Sequence, residues 1–550
     1  MKKTTKLLKI IIFSAAITGA ISVGAEEKPW GQTPKFWGQA PNGEFWNANA
    51  KRFIYAPAFP FKAVVGAAQY RYDVYDDRHV VHTFRATTPC AGLDGVWDEL
   101  PVGYVTVVCT AEGADGRVIA ESGRRTFWKK SAFTGNYPPA RRSYSHARSK
   151  IFDFFLAMPQ LRHLAETGRP DMSYSLNGYP SKMLSSEIEA IVKYYRWQTG
   201  DGKDAASAAS ACLETAKKAA DWLISDSVPA GSALEHFPRT YAKEGSEYGR
   251  FAGQQDKIML IYPACVGMAF VELADVCGEG GSRYLDAARR IAGTYLRLQG
   301  EDGTWCLVQN AVTGEEMCKN RLLPVDVLFF LERLHEATVD GRCRAAADRA
   351  FAYIEKGPMA DWNWEGQFED TKPAKNRWKN LSKHPACSVA MYLLRRFPGD
   401  AVRIAQAEAL LKFSEDQFVE WTPPYDNGRG RDEPAGPDDG TWRFFCKPYS
   451  AYMTPCALEQ YNCYLPIDAS AAKLINTYIA VWKATKKPEY IAKARALGDT
   501  ATRMQEDDGL INTWWIKGVS RNDHRYHTWI NCLLATANAL DNLARSHELR

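Results

Sequence analysis

From about residue 143 to the carboxyl end, apolar residues recur at helical spacing in two distinct patterns. In Arg283–Leu298 they form one stripe, Tyr284, Ala288, Ile291, Tyr295 and Leu298, on an otherwise polar segment. Ala209–Leu223, Cys343–Ile354, Val402–Phe418 and Tyr490–Met504 follow the same rule. In contrast, Ile258–Val276, Leu322–His335, Ala386–Phe397, Ile467–Trp482 and Thr528–Leu543 are apolar on nearly every face, which predicts helices buried on all sides. With Tyr144–Glu166 and Ser186–Gln198 this makes about twelve helices in six pairs, the two kinds alternating.

The connections alternate as well. Short turns lead from the apolar kind to the amphipathic kind: 199–202, 278–281, 339–341, 398–400 and 486–488. Long irregular stretches lead back: 225–257, 299–321, 356–383, 419–465 and 506–527. Antiparallel pairs joined in this way bring all the long stretches to one end. Buried helices inside a ring of amphipathic ones make a closed (α/α)6 toroid. An open solenoid would have more even repeats and shorter loops. In this architecture, residues 144–545 resemble the six-hairpin superfamily of glycoside hydrolases and polysaccharide lyases.

Upstream the period is two. Gln69–Tyr75 alternates, Asp76-Asp77 turns, and Val80–Phe84 follows as a partner strand. Tyr104–Val108 and Val118–Ala120 flank the turn at Ala114-Asp115-Gly116. The run from Val65-Gly66-Ala67 to Leu100-Pro101-Val102-Gly103-Tyr104 resembles bacterial fibronectin-III or immunoglobulin-like sandwiches, a module that also precedes toroids of this superfamily. The fold class is therefore mainly α, a toroid of six helical hairpins preceded by a small all-β sandwich. The expected domains are a leader at 1–25, the β unit at 26–136 and the toroid at 143–546, with Tyr137-Pro138-Pro139 as linker.

Composition narrows the setting. Lys2, Lys3, Lys6 and Lys9 precede a short apolar run, and Val23-Gly24-Ala25 offers small residues for cleavage, so the chain reads as exported, periplasmic or secreted. No later segment is apolar enough to span a membrane. A net charge of +5 over 550 residues, with no basic block after the leader, argues against nucleic acid. The 13 cysteines are scattered, an odd number that leaves at least one unpaired. Cys306 and Cys318 are placed to meet across a hairpin, and Cys446, Cys456 and Cys463 lack zinc-site spacing. No nucleotide loop, haem motif or EF-hand pattern is present, and no cofactor is expected, with a structural calcium ion on loop acids left open.

The long connections carry the chemistry. Acid followed by tryptophan recurs in Glu301–Trp305, Asp361–Glu365, Glu420-Trp421 and Asp507–Trp515. Either each tryptophan plugs its hairpin or the set lines a sugar cleft, where flat apolar faces meet hydroxyl-binding acids. The densest stretch is Trp362-Asn363-Trp364-Glu365-Gly366-Gln367-Phe368-Glu369-Asp370. Glycoside hydrolysis needs a carboxylic acid to protonate the leaving oxygen and a carboxylate as base or nucleophile. Glu365 is the first choice for the acid, and Glu369 or Asp370 for the carboxylate, with Asp426, Asp439, Glu459 and Asp468 as alternatives. Trp362, Trp364, Gln367, Tyr425, Trp442 and Trp515 are candidate sugar contacts.

A second set suits another reaction. His236, His384, Asn380, Asn177, Tyr179 and Tyr241 lie in or beside long connections, and His524 and His527 open the last apolar helix. The resemblance implies that His and Tyr as base and acid, with Asn or Arg neutralising a uronate, would perform β-elimination. Lys375, Arg377, Lys379 and Lys383, with Arg429, Arg431, Arg443 and Lys447, set basic residues beside the acids. Taken together, the residues predict an enzyme that cleaves glycosidic bonds of a poly- or oligosaccharide by hydrolysis. A polysaccharide lyase is the first alternative and a non-catalytic glycan-binding protein the second.

Overall fold

The computed structural model describes residues 50, 52–76, 78–200, 206–242, 253–369, 380–423, 452–461 and 463–548. The expected leader, Asp370, Tyr425, Trp442, Asp426 and Asp439 lie outside them, as do all of the basic residues named above except Lys383.

The helices close into a ring. In chain order they are α1 (Tyr144–Leu156), α2 (Pro180–Gly200), α3 (Ala206–Asp226), α4 (Tyr262–Cys277), α5 (Ser282–Leu298), α6 (Val325–Thr338), α7 (Gly341–Lys356), α8 (Lys383–Arg396), α9 (Ala401–Phe418), α10 (Asp468–Thr485), α11 (Pro488–Met504) and α12 (Ile530–Glu548). The even-numbered helices are inner, and each touches the next around the circle, α12 returning to α2. Each inner helix packs on the outer helix that follows it, and α12 packs on α1, so the last hairpin joins the two ends of the chain. This is the six-hairpin toroid. One expected helix, Tyr144–Glu166, is two: Pro159 removes an amide donor and its ring clashes with the preceding turn, so α1 stops and a separate helix runs over Pro159–Thr167. Close helix approach has a local cause at Gly267, where a β-carbon would collide with the ring of Phe330 on the neighbouring inner helix.

Short turns end the inner helices. Gly278, Val339, Gly399 and Lys486 take positive φ there. Asp340 and Asp400 then cap the following outer helices, their carboxylates accepting the amides of Arg342 at 2.9 Å and Val402 at 2.9 Å. The long connections gather at the other end and knit together. Lys257–Met259 pairs with Val308–Asn310, Val419–Glu420 with the strand at 456–460, Glu365 with Leu381, Ser382 with Gln460, and Ile467 with Trp514.

Ahead of the ring lies one curled sheet of five strands, β1 (Arg52–Phe53), β2 (Gln69–Asp76), β3 (Val81–Ala86), β4 (Gly103–Glu112) and β5 (Val118–Lys129), in the order β1-β5-β4-β2-β3. Tyr70, Tyr72, Val74, Val105, Val107 and Phe127 point to its buried face. The facing layer is irregular chain carrying Phe59 and Phe61, with the short helix Asp94–Trp97, so one sheet and one coil layer make up the sandwich. The unit is clasped to α9. Asp416 accepts the amides of Ile54 at 2.6 Å and Tyr55 at 3.0 Å, Lys130 donates to the carbonyl of Val419 at 2.5 Å, and Arg52 pairs with Glu420 at 3.2 Å. No helix among the described residues is long and apolar enough to cross a membrane.

Replacing Asp416 by Ala strands two buried amides, so denaturant unfolding should show a loss of about 2–4 kcal/mol, with Asp416→Asn losing less because it keeps one acceptor.

Candidate active site

The inner helices are not apolar all round, as their sequences had led us to expect. Each carries one row of residues that are neither sealed nor exposed: Lys182, Ser186 and Glu189 on α2; Cys265 and Met268 on α4; Asp326 and Phe329 on α6; His384 and Met391 on α8; Lys473 and Asn476 on α10; Asn531 and Ala535 on α12. Spacings of three, four and seven residues keep each row on one helix face. The rows meet across the ring: Glu189 feels the charges of Asp326 and Lys473, and His384 those of Lys473 and Lys182. They line a central well. Opposite the long connections, ion pairs of Arg196 and Arg333 with Glu272, at 2.6 and 2.8 Å, cross-link three inner helices.

The segment 362–369 is hooked over the mouth. Trp362 holds positive φ (58°) at the end of the short helix Pro358–Asp361, fixed by burial of its indole against Phe413. Gly366 donates its amide to the carbonyl of Asn380 at 2.6 Å and accepts the Asn380 side-chain amide at 3.0 Å, and a β-carbon there would collide with the Gln460 side chain. Gln367 accepts the amide of Leu323 and donates to the carbonyl of Arg321, both at 2.9 Å. Glu365 receives hydrogen bonds from Asn320 (3.2 Å) and Gln367 (3.1 Å). Glu369 turns inward. Lys182 donates to its carboxylate at 2.5 Å, Tyr262 donates to the other oxygen, and Tyr241 holds its carbonyl at 2.9 Å.

The carboxyl groups of the ring divide into two kinds. Burial alone would raise Glu369, but the Lys182 ammonium and the Tyr262 hydroxyl outweigh it and hold the group below the ordinary range. Glu459 behaves likewise: burial is overcome by Lys383, which donates at 3.0 Å, and by Ser470. Four others go up. Burial raises Asp326 against the pull of Lys473, and raises Glu189 with help from Glu272 and Asp326. It lifts Glu187 to about 8 and carries Asp468 well up, the charge of Glu459 adding to the latter. His384 is pushed well down by burial and by Lys473, Lys383 and Lys182, so its imidazole is neutral.

Most of the described tryptophans are plugs. Trp305, Trp362, Trp364, Trp421 and Trp515 are buried, so the Trp362, Trp364 and Trp515 indoles back the site rather than face a sugar. Half-buried Phe368 and Trp529 are the open aromatic faces at the mouth; Trp529 lies beside His527, whose ring is tilted against that of Trp514 with centroids 4.0 Å apart. Asn177 is buried and donates to the carbonyl of Asp171 at 2.8 Å, while Tyr179 and Tyr241 pack 5.7 Å apart beneath the Glu369 segment. His236 sits in a turn at φ 67° that Thr294 and Arg297 tie to the outer helix α5, away from the inner row that carries His384. Lys182, Tyr262, Asp326, Glu189, Lys473 and Trp529 had escaped notice. Their signal was present: a charged residue recurring at helical spacing inside an apolar helix, as at Lys182 and Glu189. Among the described residues no group of three or more His, Cys, Asp or Glu is arranged to hold a metal ion, and Cys306 and Cys318 adjoin as free thiols, Cys306 donating to the carbonyl of Cys318 at 3.4 Å.

No family model matches this chain, nor does any curated sequence relative. It is similar to solved structures. One is a family 76 glycoside hydrolase from a bovine strain of Bacteroides thetaiotaomicron, at 11% identity over 91% of this chain and 97% of that one, with a TM-score of 0.47. Another is a family 76 mannosidase from Bacteroides thetaiotaomicron, at 12% identity over 74% and 100%, with a TM-score of 0.46. A third is cellobiose 2-epimerase from Spirochaeta thermophila, at 12% identity over 72% and 98%, with a TM-score of 0.44. All three are six-hairpin toroids. Likeness of this degree concerns the fold alone, and the fold here rests on closure of the chain's own ring.

Glu369 and Glu459 are held below the ordinary glutamate value of 4.5. Their contribution to stability is therefore complete above that value and is lost as pH falls through their folded values. The unfolding midpoint should decline below about pH 4.5 in the wild type, and the double variant Glu369→Gln/Glu459→Gln should decline less steeply over that range.

Proposed function

We propose that the chain is an exported carbohydrate-active enzyme that hydrolyses glycosidic bonds at the mouth of the well by carboxylate acid/base catalysis. This reading is carried by two carboxyl groups inside the ring pushed in opposite directions, Asp326 up by burial and Glu459 down by Lys383 and Ser470. Of the two ionised groups, Glu459 has 18% of its side chain accessible and Glu369 only 2%. We therefore assign Glu459 as the carboxylate that activates water or attacks the anomeric carbon, and Glu369 as a positioning residue for Lys182 and Tyr262. Asp326, half-buried at the start of α6 and held toward its protonated form, is the group to protonate the leaving oxygen. Phe368 and Trp529 supply the apolar faces for the sugar ring. Glu365, bound by two side-chain amides, orders the roof of the site in this reading.

One observation favours a second reaction. Among the described residues neither ring nitrogen of His384 has a hydrogen-bond partner, and a neutral imidazole is a base that β-elimination on a uronate would use. The two reactions leave different products. Hydrolysis should release saturated reducing ends, and Glu459→Gln or Asp326→Asn should each lower kcat by about a hundred- to ten-thousandfold while substrate binding persists. An unsaturated, ultraviolet-absorbing product that disappears in His384→Ala would replace hydrolysis by elimination. Glycan affinity without product at any enzyme concentration would make the chain a binding protein.

A further inference from the structure

Two lysines lie on the half-buried rows that line the well. Lys182 on α2 has 24% of its side chain accessible, and Lys473 on α10 belongs to the half-buried row. Lys383, the third cation near His384, is sealed at 2% and is occupied by Glu459 and Ser470. Lys473 carries three donors, yet among the described residues its ammonium has a single hydrogen-bond partner, the Ser388 hydroxyl at 3.0 Å. A buried ammonium so weakly satisfied favours an incoming anion. The acids facing it are Asp326 and Glu189; burial disfavours charge on both, and it also lowers Lys473, against the pull of Asp326. Beside it the imidazole of His384 is open, with Phe368 edge-on at 6.2 Å. All six inner helices direct their N-termini to this end, which adds to the positive potential.

We propose that the sugar bound in the well carries a carboxylate, a uronic acid residue seated on Lys473 and Lys182 beside His384, with its ring against Phe368. The proposal rests on the well being the sugar site and names the class of sugar it takes; it holds whichever bond-breaking reaction operates there. The carboxylate completes the hydrogen bonding of Lys473, and a neutral hexose with a hydroxymethyl group in the same place cannot.

The test uses ligands with no bond to cleave, so that it is independent of hydrolysis. Free uronic acids and their parent hexoses, in the gluco, galacto and manno series, are titrated into the full-length protein by calorimetry or saturation-transfer NMR at low salt. In at least one series the uronate should bind about tenfold or more tightly than its hexose, with the advantage shrinking as salt is raised. Lys473→Met should bring the uronate down to the hexose level. Equal or tighter binding of the hexose in every series overturns the proposal, as does a panel in which no uronate binds. A preference undiminished in Lys473→Met also overturns it, by placing the carboxylate elsewhere. Saturated products from neutral glycans together with no uronate preference would leave the hydrolytic reading standing and remove this one.

Discussion

The side chains that line the well sit on one narrow strip along each inner helix. Such a helix is flanked by two inner neighbours and backed by an outer one, so only one face remains for groups that need solvent or a partner. When α12 closes onto α2, six of these strips face each other and the charges they carry share one small, poorly hydrated space. That confinement drives the rest. It raises Asp326 and Glu189 and pushes His384 down; at Glu369 and Glu459 burial is outweighed by a lysine and a hydroxyl, Lys182 with Tyr262 and Lys383 with Ser470.

The lysines have different tasks, decided by exposure. Lys383 is buried, bonded to Glu459 and Ser470, and holds the strand at 456–460 to α8 and α10. Lys182 keeps one donor on Glu369 and stays reachable from the well. Lys473, one level deeper, has a hydroxyl as its hydrogen-bond partner among the described residues. A static scaffold and a receptive site thus use the same residue type within a few turns of helix.

The architecture was readable because helix period and loop length are local properties of a sequence. Stripes such as Tyr284–Leu298, alternating with all-apolar runs, together with connections that alternate in length, describe paired helices in a ring. The site was much less readable. Its groups come from separate helices and converge only after closure, so no local pattern joins Lys182 to Glu369, 187 positions away. Aromatic content misled in a specific way. Trp362 and Trp364 stand next to acids in the chain, yet the backbone turns at positive φ and sends both indoles inward. Trp529, which does remain half-buried at the mouth, sits in a helix start that reads as ordinary core. The charges at Asp326 and Lys473, each set among apolar residues of an inner helix, were the legible trace of the well.

The most direct test of this account is a titration of the Asp326 and Glu459 side-chain carboxyl resonances by carbon-13 NMR in selectively labelled protein. Glu459 should lose its proton below the ordinary glutamate range, and Asp326 should keep its own to a pH clearly above that of Glu459. Both groups titrating at ordinary values, or Glu459 titrating above Asp326, would contradict it.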